Sequence, residues 1–450
     1  MKPAIFKAYD IRGIYPDELD ADAALAIGGA LASFLGGGPI VLARDMRVSG
    51  VALREALVSG LLAEGVEVID IGRVATPMVY FATTRFEAAG GVMITASHNP
   101  GAYNGFKLCG PSAVPIGIET GMKQIRALAE DRFGRAVGPP RAQLREQSID
   151  AEYYTSLLEM FPGRPRLRVA IDAGNGIAGA AISGLLEQLP LEVTRLYFEP
   201  DGSFPNHEAD PLKLENLEDL RHAVKSVGAD LGIAFDGDGD RAVFVDASGD
   251  PIPADLMTGL LAGVVLEHRL LGAGPGAHVI YDLRCSRVVP ECIREGGGIP
   301  ERSRVGHAFM KQLMRETDAC FGGELSGHYY FRFPSGYVAD DAAAAMLLLL
   351  QALELGGRPL AELSAPLRRY FQSGEVNRSV RDVSATLERV ARAFPDGKAD
   401  GLDGLTISFP DWWFNLRPSN TEPLLRLNVE ASSEEEMVAR RDAVLALIDA

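Results

Sequence analysis

The chain has 450 residues, 47% of them hydrophobic, and a formal net charge of −17. That length is more than one core organises, so three or four domains are expected. The acidic balance excludes a nucleic-acid-binding face, and the longest nearly pure apolar run, 342–350, is too short to cross a bilayer, which needs about 20 residues.

The first unit, 1–140, alternates helix and strand patterns. Asp20 caps an Ala/Leu-rich helix that ends at Gly36-Gly37-Gly38, a strand covers 39–43, and Ser49 caps a helix over 51–63. Residues 66–71 read as a strand, a helix follows Thr76-Pro77, and a further strand runs into Thr95-Ala96-Ser97-His98-Asn99-Pro100. This βα alternation predicts a mainly parallel sheet covered by helices. Residues 132–145, rich in Pro, Gly and Arg, read as a linker. The N-terminus has no signal-peptide hydrophobic segment. Cysteines 109, 285, 292 and 320 show no Cys-x-x-Cys spacing, so a reduced, cytoplasmic protein without a disulfide framework or zinc site is expected.

A second unit, 146–250, opens with a strand over 167–172, a turn at Ala173-Gly174-Asn175-Gly176 and a small-residue helix to 186. A helix over 216–227, a buried strand over 229–235 and a returning strand over 241–245 follow. The third unit, 251–366, carries a helix over 254–270, a strand over 278–282, helices over 286–295 and 306–316, a strand over 319–321, and an apolar helix over 338–353. In the fourth, 371–450, Leu405, Ile407 and Phe409, then Leu425, Leu427 and Val429, alternate with polar residues, the period of a half-exposed antiparallel strand. Ser433 caps a last helix over 434–447. The fold class is α/β: three mixed or mainly parallel α/β domains plus a smaller α+β domain at the C-terminus.

Four stretches carry chemistry. Ser97 is expected on a loop after a buried strand, its hydroxyl presented, with His98 beside it and Lys107 ten residues on; this suits a nucleophile or the carrier of an anionic group, or is an ordinary polar turn. In Asp236-Gly237-Asp238-Gly239-Asp240-Arg241, three alternate carboxylates would repel one another without a cation, and the glycines let the chain curl until the oxygens converge. Oxygen ligands suit a hard ion, Mg²⁺ first, with a position left for phosphate; the alternative, a solvated acidic turn, is disfavoured by the motif's place at a strand end. An EF-hand is excluded because a strand follows and no Glu stands at the twelfth position. Arg417-Pro418-Ser419-Asn420-Thr421-Glu422-Pro423, between two alternating strands, reads as a phosphate cradle or a polar hairpin loop. Glu324, Ser326 and His328 alternate along one loop and offer a carboxylate, a hydroxyl and an imidazole to sugar hydroxyls, or form a strand edge with a satisfied histidine. Arg44 and Arg47 fit ion pairs or a ligand role equally, and His307 at a helix start is a weaker candidate.

These motifs, in this order and one per unit, resemble the α-D-phosphohexomutase family, most closely its bacterial phosphomannomutase/phosphoglucomutase members. The resemblance spans the chain and implies four domains around a central cleft. It implies Ser97 as the phosphoserine and Ser97, Asp236, Asp238 and Asp240 as ligands of Mg²⁺. Glu324 and Ser326 would hold sugar hydroxyls, and Arg417, Ser419, Asn420 and Thr421 the non-reacting phosphate. Tyr9, Arg12, His98, Lys107, Arg241, Arg284, His307 and His328 fall at cleft-lining positions, with Arg12, His98, Lys107 and Arg241 nearest the chemistry. Arginine stands at 284 and 304, where many relatives have lysine; it keeps the charge but does not readily release a proton. The expected activity is interconversion of hexose 1-phosphate and 6-phosphate (mannose, glucose or both) through a hexose 1,6-bisphosphate, in a monomer or homodimer with no nucleic-acid or membrane partner. The alternatives are phosphoglucosamine mutase, which usually differs at the positions of Leu325 and Asn420-Thr421-Glu422, a phosphatase, and a non-catalytic sugar-phosphate-binding regulator.

Overall fold

The structure is a computed structural model that describes residues 1–418 and 424–450. It comprises two compact units, Met1–Ile252 with Ser326–Ala361 and Pro253–Leu325 with Glu362–Ala450.

In the first unit, a six-stranded sheet runs in the order Ile11–Ile14, Tyr103–Cys109, Gly90–Ile94, Ile40–Arg44, Val68–Arg73, Leu144–Glu146. Gly90–Ile94, Ile40–Arg44, Val68–Arg73 and Leu144–Glu146 are parallel neighbours, whereas Tyr103–Cys109 is antiparallel to both strands it pairs with. The sheet is therefore mixed. Every residue of Gly90–Ile94 is buried, as a strand covered on both faces requires. Asp20 Oδ1 accepts a bond from the Ala23 amide at 2.8 Å to start the helix Ala21–Leu35, and Gly36 ends it at φ +75°. That helix packs on Gly50–Ala63 through small residues: a Cβ on Gly28 would clash with the Leu57 carbonyl oxygen, and one on Gly60 with that of Leu25.

Two expectations in this region are corrected. Ser49 stands at the start of Gly50–Ala63 but makes no capping bond; its φ −67° and ψ −15° lack the extended backbone that a cap uses. Its hydroxyl accepts from Asn104 Nδ2 at 2.9 Å instead. The 132–145 stretch is not all linker, because Leu144–Glu146 adds an edge strand beside Val68–Arg73; its three exposed residues carry no periodic signal.

The second sheet of this unit runs Pro251–Ile252, Ala242–Asp246, Leu231–Phe235, Arg168–Asp172, Glu192–Leu196, with the returning strand Ala242–Asp246 antiparallel to Leu231–Phe235 as expected. Farther along, Tyr329–Arg332 and Val338–Asp340 form an antiparallel pair. The apolar helix therefore starts later than its composition suggested, at Ala342. Asp341 caps it, accepting from the Ala344 amide at 2.9 Å, and the preceding residues go to the strand. Among the described residues no single helix is long and apolar enough to cross a membrane.

In the second unit, His278–Asp282 lies between the parallel strands Ile299–Ser303 and Phe321–Gly323, with the helices Ala254–Glu267, Val288–Glu295 and His307–Thr317 around them. The C-terminal sheet is antiparallel, in the order Phe371–Gln372, Leu424–Ala431, Trp412–Pro418, Leu405–Ser408, Lys398–Asp400, and Val376–Ser379 also pairs with Leu424–Ala431. Ile407, Trp412, Phe414, Leu416, Leu425, Leu427 and Val429 form its core. Ser433 Oγ caps Glu434–Asp449 as expected. Arg417 is not in the loop between strands: it lies within Trp412–Pro418, opposite Arg426.

The close helix crossing makes a prediction whose sign runs against helix propensity. Alanine favours a helix over glycine by about 1 kcal/mol, yet Gly60→Ala puts a methyl into a backbone carbonyl and costs about 1–3 kcal/mol of strain. The thermal midpoint of Gly60→Ala falls below that of the parent. A midpoint equal or higher would mean that the helices are not in backbone contact.

Candidate active site

Ser97 follows the buried strand Gly90–Ile94 in a left-handed conformation, φ +51°, which few non-glycine residues adopt. Its amide donates to Thr95 Oγ1 at 2.9 Å. The hydroxyl is not presented to solvent, as the sequence had suggested: the residue is 1% exposed, and Oγ donates to Asp236 Oδ2 at 3.0 Å and lies 3.1 Å from His98 Nδ1.

The three aspartates come from the turn between Leu231–Phe235 and Ala242–Asp246. Gly239 takes φ +73°, and Gly237 has no room for a Cβ because one would clash with the Ser97 carbonyl oxygen. Here glycine permits both the curl and the contact between the two loops. Asp236 Oδ1 accepts the amides of Asp240 and Arg241, both at 3.1 Å, and Asp238 Oδ2 accepts from Thr76 Oγ1 at 2.5 Å. Asp236, Asp238 and Asp240 are each at most 1% exposed, and one oxygen from each lies within 4.8 Å of the others.

Such crowding shapes the titration of Asp236, Asp240, Lys107 and His98. Burial, then Asp240 and Asp238, push the Asp236 carboxyl well above the usual carboxylate range. Burial opposes charge on Asp240 too, but Lys107 and His328 outweigh it and hold its carboxyl below that range. Lys107 donates to Asp238 Oδ2 at 2.7 Å and to Asp240, and the carboxylates outweigh its burial and raise its pKa. Arg241 Nε lies 3.7 Å from Asp236 Oδ2, and His328 Nε2 lies 3.4 Å from Asp240 Oδ1. His98 is not a cation: Arg241, then burial, then Arg12 and Lys107, hold its pKa far below the ordinary value.

Arg12 is bonded to Asp10 at 2.5 Å and to Asn99, and Tyr9 is half-buried close by in sequence. Ser326 Oγ lies 3.0 Å from His328 Nδ1, and His328 bridges Arg241 through the backbone. Ser97, His98, Lys107, Arg241, His328 and the three aspartates thus meet around one acidic cluster. The cluster fits a divalent cation on its own chemistry: three converging carboxylates, two facing cationic side chains, and an Asp238 Oδ1 that is buried without a hydrogen-bond partner among the described residues.

The second unit holds the remaining candidates. Arg284 grips Asp282 through Nε–Oδ1 at 3.0 Å and Nη2–Oδ2 at 2.7 Å, and Asp282 also accepts the Leu325 amide at 2.8 Å. Glu324, 1% exposed, accepts the Gly306 amide at 2.8 Å, just before His307 opens its helix. Arg304 lies over the Phe309 ring at 3.8 Å. Arg417 donates to Glu375 at 2.8 Å, while burial and then Arg284 lower its pKa. Arg417 Nε is buried with no hydrogen-bond partner among the described residues. Ser419, Asn420 and Thr421 lie outside the described residues.

Sequence reasoning missed Thr76, Asp282 and Glu375, the residues that orient Asp238, Arg284 and Arg417. Thr76 looked only like a helix start. Asp282 and Arg284, two apart at a strand end, carried a readable signal for a local ion pair.

Comparison with known proteins gives four matches in chain order: phosphoglucomutase/phosphomannomutase alpha/beta/alpha domain I over residues 3–134, domain II over 151–249, domain III over 254–370, and the C-terminal domain over 375–447. Phosphohexose mutases of Xanthomonas campestris pv. campestris strain B100 are 44% identical over 443 residues, 97% of this chain and 97% of theirs. A phosphomannomutase of Methanocaldococcus jannaschii is 38% identical over 448 residues, 99% of this chain and 97% of its own. Among solved structures, a phosphoglucomutase/phosphomannomutase family protein from Burkholderia thailandensis superposes with a TM-score of 0.90 at 34% identity, covering 100% of this chain and 97% of that one.

The acidic cluster predicts stabilisation by a hard cation. Mg²⁺ at a hundred times its dissociation constant stabilises the folded chain by about 2.7 kcal/mol, read as a rise in thermal midpoint. Asp238→Asn removes most of that rise. A midpoint indifferent to Mg²⁺ in the parent chain would exclude the cluster as a cation site.

Proposed function

This chain belongs to the phosphoglucomutase/phosphomannomutase family, whose members are intramolecular phosphotransferases, and from that premise we propose that Ser97 carries the phosphoryl group it transfers between O1 and O6 of a hexose. The observation that carries this reading is the Ser97 hydroxyl on Asp236, inside a buried cluster where Lys107 and Arg241 face three carboxylates.

The reaction has two halves. The P–Oγ bond of phospho-Ser97 breaks as a P–O bond forms to the free hydroxyl of a hexose 1- or 6-phosphate, and the hydroxyl proton leaves to a base. The hexose 1,6-bisphosphate then turns over and returns its other phosphate to Ser97. Positioning and charge compensation do most of this work. Asp236, Asp238 and Asp240, with the Ser97 oxygen, would hold Mg²⁺, which when bound neutralises charge on the phosphoryl oxygens. Lys107 and Arg241 are the protein's own positive charges there. His98, held neutral, is a hydrogen-bond partner of Ser97 and not a stored charge. His328 and Arg12 complete the polar surroundings.

In this reading Glu324 and Ser326 hold sugar hydroxyls, and Tyr9, Arg284 and His307 contact the substrate. Arg417, with Ser419, Asn420 and Thr421, takes the phosphate that is not reacting. The buried Arg417 Nε supports that assignment, since among the described residues it is a donor without a partner, open to an anion. The substrates are mannose and glucose phosphates, because epimers at C2 need not be sensed by a carboxylate and hydroxyl that grip other carbons. We read the protein as a cytoplasmic monomer or homodimer; four buried free cysteines fit a reducing compartment.

A coupled assay of mannose 1-phosphate and glucose 1-phosphate turnover tests this function. Both are converted to 6-phosphates, with a preference below about a thousandfold, near 4 kcal/mol. Intact mass shows one phosphate on the active enzyme, and Ser97→Ala abolishes turnover. Full activity in Ser97→Ala sinks the mechanism, and phosphate release without isomerisation would make the protein a phosphatase. Arg417→Ala raises KM for the 1-phosphate and the 6-phosphate alike, consistent with a charge-assisted contact of about 1.5–3 kcal/mol. An effect in one direction only would remove the clamp assignment.

A further inference from the structure

Arg47 is the largest fully buried side chain among the described residues, and it is paired with Asp45, both at 0% side-chain exposure. A guanidinium has five N–H donors, and here every one is engaged. Nη2 donates to the carbonyls of Ser97 at 2.8 Å and Asn99 at 2.6 Å. Nη1 donates to those of Pro100 at 2.8 Å and Tyr103 at 2.9 Å, and Nε donates to Asp45 Oδ2 at 3.2 Å. No donor remains for a ligand, which resolves the choice left open by the sequence against a ligand role for Arg47.

We propose that Arg47 is the positioning residue of the Ser97 loop: one planar fork gathers four carbonyls between 97 and 103 and holds the serine in its left-handed conformation with Oγ against Asp236. This inference rests on the reading of Ser97 as the phosphate carrier. The serine backbone is held from several sides. Its carbonyl is fixed by Arg47 Nη2 and abuts Gly237, where a Cβ would clash with it. Its amide is fixed by Thr95 Oγ1. Asp45 orients the fork, accepting both the Arg47 amide at 2.9 Å and Nε.

The 202–204 segment covers the far side. The Phe204 ring lies 5.3 Å from the guanidinium carbon. A Cβ on Gly202 would stand 2.8 Å from Arg47 Cα, and one on Gly101 would stand 2.6 Å from the Gly202 carbonyl oxygen. Lysine cannot replace this arrangement, since a point charge with three donors does not span four carbonyls in a plane. A nucleophile held by its backbone is sensitive to such a change: a misplacement of about 1 Å from a residue remote from the chemistry costs about a hundredfold in rate.

The test compares the parent enzyme with Arg47→Lys, with the double variant Asp45→Asn/Arg47→Gln, and with Phe204→Leu. The double variant removes both buried charges together, so neither is left uncompensated. Folding is followed by circular dichroism and thermal midpoint, turnover by kcat and KM for a hexose 1-phosphate, and loop order by hydrogen–deuterium exchange of the peptide spanning 95–104. The folded variants lose protection over 95–104 while the rest of the chain stays protected. The two variants at position 47 lose kcat about a hundredfold with KM within about threefold, because Arg47 touches no substrate. A folded variant at position 47 with parental protection over 95–104, or with kcat within threefold of the parent, overturns the proposal. So does a parallel loss of activity and of folded fraction. If neither variant at position 47 folds, Phe204→Leu decides: increased exchange over 95–104 at unchanged KM supports the clamp, and unchanged exchange overturns it. Exchange is read without substrate, so it tests the clamp even if Ser97→Ala and the intact mass show that another group carries the phosphate.

Discussion

The first unit is arranged around three carboxylates that cannot stand together unaided. Asp236, Asp238 and Asp240 are removed from water with oxygens within 4.8 Å of each other. A buried uncompensated charge costs several kcal/mol even after relaxation. Lys107 and Arg241 supply two positive charges against three negative ones, and burial, then Asp240 and Asp238, still raise the pKa of Asp236. A divalent cation held by the three carboxylates would offset that repulsion.

The same charge balance gathers pieces of chain far apart in sequence. Lys107 arrives on the antiparallel strand Tyr103–Cys109, Ser97 on the loop before it, and His328 at a backbone bridge to Arg241. Because the antiparallel strand follows the Ser97 loop directly, one hairpin delivers both the serine and the lysine. Gly237 lets the serine and aspartate loops touch through their backbones, so their spacing is set by the main chain and not by flexible side chains. Dipoles fixed in this way need not reorganise when charge moves nearby.

The second unit prepares its polar groups differently. Arg284, Glu324 and Arg417 each have a partner among the described residues: Asp282, the Gly306 amide and Glu375. These bonds fix the rotamers of the three side chains. They also explain arginine at 284. Its fork meets both oxygens of Asp282, a bidentate contact that lysine cannot make.

Much of this was legible in the chain itself. Periodicity and caps located the strand over 278–282, the helix started by Asp20 and the last helix behind Ser433, because those signals are local. The aspartate and serine motifs stood out because alternating carboxylates and glycines, or a serine in a small-residue turn, are rarely placed without a chemical reason. What the sequence left open depended on partners distant in sequence or on the backbone's own path. Ser49 looked like a cap, and its backbone angles gave its hydroxyl to Asn104. Val338–Asp340 looked helical by composition, and pairing with Tyr329–Arg332 made it a strand. Ser97 looked exposed, and Asp236, 139 positions on, closed over it. Arg47 was undecided between an ion pair and a ligand contact. Only the folded chain, by bringing four carbonyls within reach of one guanidinium, settled it, since a hydrogen-bond donor's role is fixed by where the acceptors stand in space and not by the residues beside it in sequence.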